Sequence, residues 1–210
     1  MPELYIITGS NGAGKSSVGF QYIPVEFQNT IFDGDKLFVS KKKEFWAQGP
    51  KIEKITRKKA WDFVSETFEQ LVNDAIKANK NFAYEGHFTN EATWNIPKRF
   101  KEAGYKINMI FLGLTDTKLS ILRVNDRVQY GGHYVDQKTV EDNYFGNLEK
   151  LNIHFSIIDQ LIILDTSETK HDILSSFLND KVIIAVPIKK LPNWYINYLP
   201  ALVEKINNSI

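Results

Sequence analysis

Short apolar runs at residues 4–8, 30–33, 82–85, 107–112, 161–165 and 182–186 alternate with longer stretches in which apolar residues recur at helical spacing. The runs are short enough for strands, and the intervening stretches predict helices at about 15–22, 36–47, 55–80, 93–103, 117–129, 139–154 and 171–178. The pattern is strongest in the longest helix, where Trp61, Val64, Phe68, Leu71, Val72, Ala75 and Ile76 fall on one side. Gly104 sits just past the last apolar residue of the 93–103 stretch, the usual place for a helix-terminating glycine. Pro24, Pro50 and Pro97 mark breaks or first turns. This alternation predicts an α/β fold of three layers, a mostly parallel sheet with helices on both faces. Residues 1–186 form the main domain. In the tail, 187–210, Trp194, Tyr195, Tyr198, Leu199, Leu202, Val203 and Ile206 predict a final amphipathic helix packed on that domain.

The first run leads directly into Gly9-Ser10-Asn11-Gly12-Ala13-Gly14-Lys15-Ser16-Ser17, which fits the phosphate-binding pattern G-x-x-x-x-G-K-[ST]. Glycines here let the backbone adopt unusual φ values and approach a phosphate without a Cβ in the way. The pattern makes Gly9 through Ser17 the nucleotide-binding residues. Lys15 reaches the β/γ-phosphates, and the Ser16 hydroxyl is the ligand for Mg²⁺. ATP and Mg²⁺ are therefore expected, with a phosphate-loop kinase or NTPase core around them.

Composition narrows the classes. Among 210 residues, 26 Lys+Arg against 25 Asp+Glu leave a net charge of +1, so bulk charge makes no case for nucleic acid or an anionic membrane. Cysteine is absent, which excludes disulfides, thiol catalysis and thiolate metal sites. No stretch reaches the roughly 20 apolar residues of a membrane span, and the chain starts in a strand without a leader pattern, so a cytoplasmic location is expected. The four histidines lack metal-ligand spacing, leaving Mg²⁺ arriving with ATP as the one metal implied. The basic groups Lys41-Lys42-Lys43 and Arg57-Lys58-Lys59 read as solvated helix faces or as an attraction for a phosphorylated substrate.

Asn79-Lys80-Asn81-Phe82 lacks the aspartate of a guanine-reading signature, and the Leu-Ser-Gly-Gly-Gln motif of transporter ATPases is missing. A small-molecule kinase needs a carboxylate near the loop to take the acceptor proton and arginines to neutralise the phosphoryl group in flight. The second run ends Asp33-Gly34-Asp35 and the third ends Glu85-Gly86-His87, all at the carboxyl edge of the sheet. Arg123 and Arg127 stand four residues apart, on one helix face, ahead of Gly131-Gly132-His133.

These motifs resemble the zeta-toxin family of kinases and its chromosomal relatives over about residues 4–150, most specifically at 123–135 and at Asn143-Tyr144 and Asn147-Leu148. The resemblance implies a phosphate-loop kinase core with a lid at about 127–143. It also implies ATP-dependent phosphorylation of a sugar hydroxyl of UDP-N-acetylglucosamine. Asp35 then matches the base, Glu85 the strand-three carboxylate and Arg127 the first lid arginine. Glu141-Asp142-Asn143 stands where relatives carry an arginine run, and Asp33 where they carry Asn.

Each assignment has a plainer counterpart. Asp35 is the base or a helix N-cap; Asp33 orients Asp35, approaches Mg²⁺ or is a turn residue. Glu85 binds substrate or metal water, or forms a buried ion pair. Arg127 and Arg123 contact the transferring group or pair with Asp116 or Asp126. His87 lines the acceptor pocket, and His133 positions backbone. The leading reading is a Mg²⁺-ATP-dependent kinase acting on a hydroxyl of a small molecule. The alternatives are an ATPase or nucleotide switch without a metabolite acceptor, and a toxin-like module whose C-terminal helix docks an antitoxin.

Overall fold

The computed structural model describes residues 1–129 and 134–209. Among them, seven strands form one sheet: β1 (Glu3–Gly9), β2 (Phe32–Asp33), β3 (Phe82–Glu85), β4 (Lys106–Gly113), β5 (Gln160–Asp165), β6 (Asp172–Leu178) and β7 (Lys181–Ala185), in the order β2-β3-β1-β4-β5-β6-β7. The first five are parallel; β6 and β7 run antiparallel at one edge. The helices are α1 (Gly34–Gln48), α2 (Glu53–Ala78), α3 (Asn95–Glu102), α4 (Thr117–Gln129), α5 (Gln137–His154), α6 (Asn193–Tyr198) and α7 (Pro200–Asn207). From β1 the chain winds to β2 and β3 on one side and then to β4 and β5 on the other. The crevice of an open parallel sheet lies where that order reverses, at the carboxyl end of β1. The glycine-rich loop occupies this place.

Both faces of β1 are covered. Ile7 packs against the backbone at Gly19, while Thr8 on the opposite face donates from Oγ1 to Asn147 Oδ1 of α5 at 3.1 Å. Phe82 and Tyr84 of β3 lie on Phe68 of α2, with ring centroids 6.2 and 5.2 Å apart. Asn79 closes α2 in the left-handed conformation, and Gly104 follows α3 at φ +81°.

Two expected helices are absent. Residues 15–18 form a turn in which the N–H groups of Ser17, Val18 and Gly19 all reach the Gly14 carbonyl, followed by a 3₁₀ turn, Gly19–Tyr22. Gly19 disfavours helix but allows the close approach to Ile7, and Pro24 leaves no room for a longer helix. Residues 171–178 are a strand. The irregularity after Ile163 leaves Leu174 as an extra residue on β6, so Leu174 and Phe177, three residues apart, are both in the core, which imitates helical spacing. Asn179 and Asp180, at φ 47° and 66°, form the hairpin turn into β7. The 93–103 stretch begins as a 3₁₀ turn, Glu91–Trp94, before α3.

The tail is two short helices, because Leu199 precedes Pro200 and is held out of the helical region at φ −123°, ψ 48°. Trp194, Tyr195, Leu199, Leu202 and Ile206 are buried in the main core, which removes most of the apolar surface a partner would need on this tail. Trp194 lies over Gly113, where a Cβ would meet its ring at 2.1 Å. Gly113→Ala is expected to destabilise the fold by about 3 kcal/mol through overpacking, read as a fall of roughly 10 °C in Tm.

Candidate active site

The loop after β1 is held from outside by its carbonyls. Asn11 C=O accepts from Ser120 Oγ at 2.5 Å, Gly12 C=O from Arg123 Nη1 at 3.4 Å and Ala13 C=O from Thr166 Oγ1 at 2.9 Å. The carbonyls of Gly9 and Ser10 accept from Lys15 Nζ at 3.2 and 3.1 Å. Among the described residues, the N–H groups of Gly12, Gly14, Lys15 and Ser16 have no backbone acceptor. Amides left without acceptors along a loop whose carbonyls are engaged are the makings of an anion-binding concavity. Gly9, Gly12 and Gly14 take φ values of 141°, 73° and 87°, which permits this path.

The cleft inside the loop is lined by Asn11, Gly12, Gly14, Lys15, Ser16 and Ser17, and across from them by Asp35, Lys36, Glu85, Arg123 and Arg127. Six of the nine loop residues thus face it together with both arginines, Glu85 and Asp35. Gly9 and Ser10 instead hold Lys15. Burial pushes the Lys15 ammonium pKa down and Arg127 adds to this, while Glu85, Asp35 and Asp33 oppose it. A desolvated cation beside a second cation is a site that an anion stabilises.

Ser16 Oγ lies 2.9 and 2.8 Å from the two Glu85 carboxylate oxygens. Burial raises the Glu85 pKa and its strand neighbour Asp33 adds to this, against Lys15 and the Ser16 hydrogen bond. Hydroxyl and carboxylate are hard oxygen donors of the kind Mg²⁺ takes. Among the described residues no group of three or more His, Cys, Asp or Glu side chains could hold a metal. A cation at Ser16 and Glu85 would therefore complete its shell with phosphate and water.

Asp33, not Asp35, caps α1: its Oδ1 accepts from Lys36 N–H at 2.9 Å, and Oδ2 lies 3.2 Å from Lys36 Nζ. Asp35 sits in the first turn of α1 and lines the cleft. Arg123 makes its strong contacts behind the loop, donating to the carbonyls of Thr166 and Ser167, each at 2.7 Å. It bridges α4, the loop and the turn after β5.

His87 lies beneath Lys15, with Nε2 3.4 Å from Nζ. Its Nδ1 accepts from Asn147 Nδ2 at 3.1 Å, and the Gly9 carbonyl accepts from the ring. Burial first, then Lys15, hold its pKa well below the ordinary value, so the ring is neutral. Asn147 Oδ1 also accepts from Phe88 N–H at 2.6 Å, and Asn143 Nδ2 donates to Asn11 Oδ1 at 2.8 Å. This places Asn143, at the end of the acidic Glu141-Asp142 step, directly on the loop. Ser120, Thr166 and Asn147 were not singled out as site residues by sequence reasoning. The partners of Ser120 and Thr166 lie 109 and 153 residues away, so no local pattern marks those two, whereas Asn147 stands in the Asn147-Leu148 step of the resemblance without a role attached to it. Gly131, Gly132 and His133 lie outside the described residues. Among the described residues no helix is long and apolar enough to cross a membrane.

The sequence profile of the family described as Zeta toxin matches residues 1–175. An uncharacterized protein of Haemophilus influenzae is 25% identical over 137 residues, covering 65% of this chain and 88% of that one. Among solved structures, AvrRxo1-ORF1 in complex with AvrRxo1-ORF2 and sulphate ions superposes with a TM-score of 0.70 at 14% identity, over 95% of this chain and 64% of that one. This chain thus spans a little under two thirds of that protein's length. The same complex with ATP gives a TM-score of 0.71 at 14% identity, over 100% and 72% of the two chains. The PezAT chromosomal toxin-antitoxin system of Streptococcus pneumoniae gives 0.54 at 17% identity, over 81% and 72%. These likenesses are of fold.

Proposed function

Since the chain belongs to the zeta-toxin family, we propose that it is a Mg²⁺-ATP-dependent kinase transferring the γ-phosphoryl group to a hydroxyl of a small molecule, with a nucleotide sugar such as UDP-N-acetylglucosamine as the acceptor class its family suggests. The observation that carries the reading is the cleft that joins Lys15, Ser16, Asp35, Glu85 and Arg127 inside a loop whose carbonyls are held outward.

In this reading the inward N–H groups and Lys15 hold the β/γ-phosphates. Lys15 leaves the Gly9 and Ser10 carbonyls to do so. Ser16, with Glu85 beside it, would hold Mg²⁺, and the ion would supply positive charge against the charge that develops during transfer. Asp35 takes the proton of the acceptor hydroxyl. Arg127 closes on the transferring group, where a planar guanidinium fork suits phosphoryl oxygens better than a point charge. Arg123 acts as a positioning residue, since its fork is engaged on backbone carbonyls. Neutral His87 supports Lys15 and borders the acceptor side, where Asn11, Asp35, Arg57, Trp61, Tyr134 and Asn143 line a second recess.

The PezAT toxin-antitoxin system among the structural relatives supports a protein antitoxin as partner, and in the same reading the site of action is cytoplasmic, where ATP is supplied. A crystal structure with Mg²⁺ and a non-hydrolysable ATP analogue tests the assignment. Lys15, Asp35, Glu85 and Arg127 are expected to converge within a few ångströms of the γ-phosphate. A nucleotide bound away from the loop would refute it.

A further inference from the structure

The basic run Arg57-Lys58-Lys59 on α2 is not a uniform solvated face. Lys58 Nζ lies 2.6 Å from Asp62 Oδ2, and Lys59 Nζ lies 4.4 Å from the centre of the Phe45 ring. Arg57 is exposed, makes no ion pair among the described residues, and lines the second recess beside the phosphate cleft. Trp61 stands one turn further along the same helix face, lines that recess too and is 40% exposed. Its indole is stacked on the buried Phe38 ring of α1, with centroids 4.3 Å apart and planes 22° from parallel. A ring backed in this way has little freedom left to lose and still has surface to give. That is the condition for receiving a second flat ring without much ordering.

The recess holds about 370 Å³, enough for a small-molecule ligand. Asn11 and Asp35 line both it and the phosphate cleft, so the two adjoin, whereas Arg57 and Trp61 belong to the recess alone. Its two carboxylates are already engaged. Asp35 also faces the cleft that Lys15, Lys36 and Arg127 line, and Asp136 accepts from the Thr139 N–H and Oγ1 at 3.0 and 2.6 Å. Because the His87 ring is neutral, Arg57 is the one fixed cation among the described residues around the recess. An exposed guanidinium beside a backed indole matches a ligand that carries an anionic oxygen group next to a flat ring.

We propose that Arg57 and Trp61 form a specificity subsite that selects a nucleotide-type acceptor, the guanidinium fork taking a phosphate and the indole stacking on the base. The fork suits two phosphate oxygens at once, and stacking accepts any base because each has a flat face. The proposal rests on the kinase reading above, because it takes the hydroxyl that receives the phosphoryl group to lie at Asp35, where recess and cleft adjoin. A sugar phosphate without a base, or a nucleoside without a phosphate, engages only half of the subsite.

The test uses UMP as probe, with uridine and ribose 5-phosphate as its two halves. Each is titrated into the protein with the phosphate loop saturated by Mg²⁺ and a non-hydrolysable ATP analogue, and followed by amide and indole N–H chemical shifts. The Trp61 indole resonance is identified by its loss in Trp61→Leu, and UMP is expected to shift it. UMP should bind about tenfold more tightly than either half. Arg57→Gln should bring UMP down to the level of uridine and leave uridine unchanged. Trp61→Leu should bring UMP down to the level of ribose 5-phosphate and leave that probe unchanged. Calorimetry of the ATP analogue should give affinities within about twofold of wild type for both variants, which also shows that they are folded. UMP binding no tighter than its better half, or an unchanged UMP affinity in either variant, overturns the proposal. Failure of the wild-type protein to bind the analogue would instead overturn the kinase reading, and the Trp61 indole shift with UMP alone then reads the subsite separately.

Discussion

Arg127→Ala is expected to lower phosphoryl transfer by about 10³-fold while ATP affinity changes far less, the scale seen when an arginine that meets the transferring group is removed. Arg127 lines the cleft across from the loop, and its charge is felt at both Lys15 and His87. The acidic step Glu141-Asp142-Asn143 brings Asn143 onto Asn11 rather than a second guanidinium onto the phosphates. On the proposed kinase reading, charge neutralisation during transfer would therefore fall on Lys15 and Arg127 more heavily than it would with two lid arginines. Arg127→Lys keeps the charge and loses the fork, and should recover only part of the rate. Arg123→Lys is the contrast: it loosens a loop that α4 holds through Gly12, Thr166 and Ser167, so it should raise the ATP Kd with a smaller effect on kcat. Single-turnover rates alongside nucleotide titrations separate the two arginines. Equal effects of both on Kd and none on kcat would place neither at the reacting group.

The second large effect is expected at Asp35. Asp35→Asn preserves size and removes the proton acceptor, and general-base loss costs roughly 10²–10⁴ in rate. Its ground-state cost should be small. The helix cap belongs to Asp33, so α1 keeps its N-terminus. The proposed nucleotide contacts belong to the loop and Lys15, so ATP affinity should stay near wild type. Asp33→Ala should act in the opposite way, removing the cap and weakening the start of α1 by about 1 kcal/mol without a comparable loss of kcat.

The parallel half of the fold was legible because each signal was local. An apolar run meeting Gly9–Lys15 announces a strand and a phosphate loop in one stretch, and 26 residues of apolar periodicity in α2 leave little choice of element. The antiparallel edge does not read as a strand because one irregular pairing, which leaves Leu174 extra on β6, puts Leu174 and Phe177 at helical spacing. The Asn179-Asp180 hairpin turn was the signal that could have corrected it. Likewise, the turn at 15–22 answers to a tertiary demand, the contact of Gly19 with Ile7, that apolar spacing does not display. The site divides in the same way. Lys15, Ser16, Asp35 and Glu85 were marked by their place at strand ends, and the cleft brings them together. The carbonyl holders Ser120 and Thr166, and the committed fork of Arg123, depend on elements brought together only by the sheet order. The contacts of Arg123 are hidden in the same way, because four-residue spacing shows only the helix face it shares with Arg127, whereas its acceptors on the turn after β5 belong to another element.

The central claim is transfer to a hydroxyl rather than to water, and following the label of [γ-³²P]ATP tests it most directly. Wild-type protein with Mg²⁺, labelled ATP and a panel of hydroxyl acceptors that includes nucleotide sugars should place the label on a small molecule, and Asp35→Asn should all but abolish that product. Release of the label as inorganic phosphate at one rate, with or without any acceptor and unchanged in Asp35→Asn, would contradict the account and mark the protein as an ATPase.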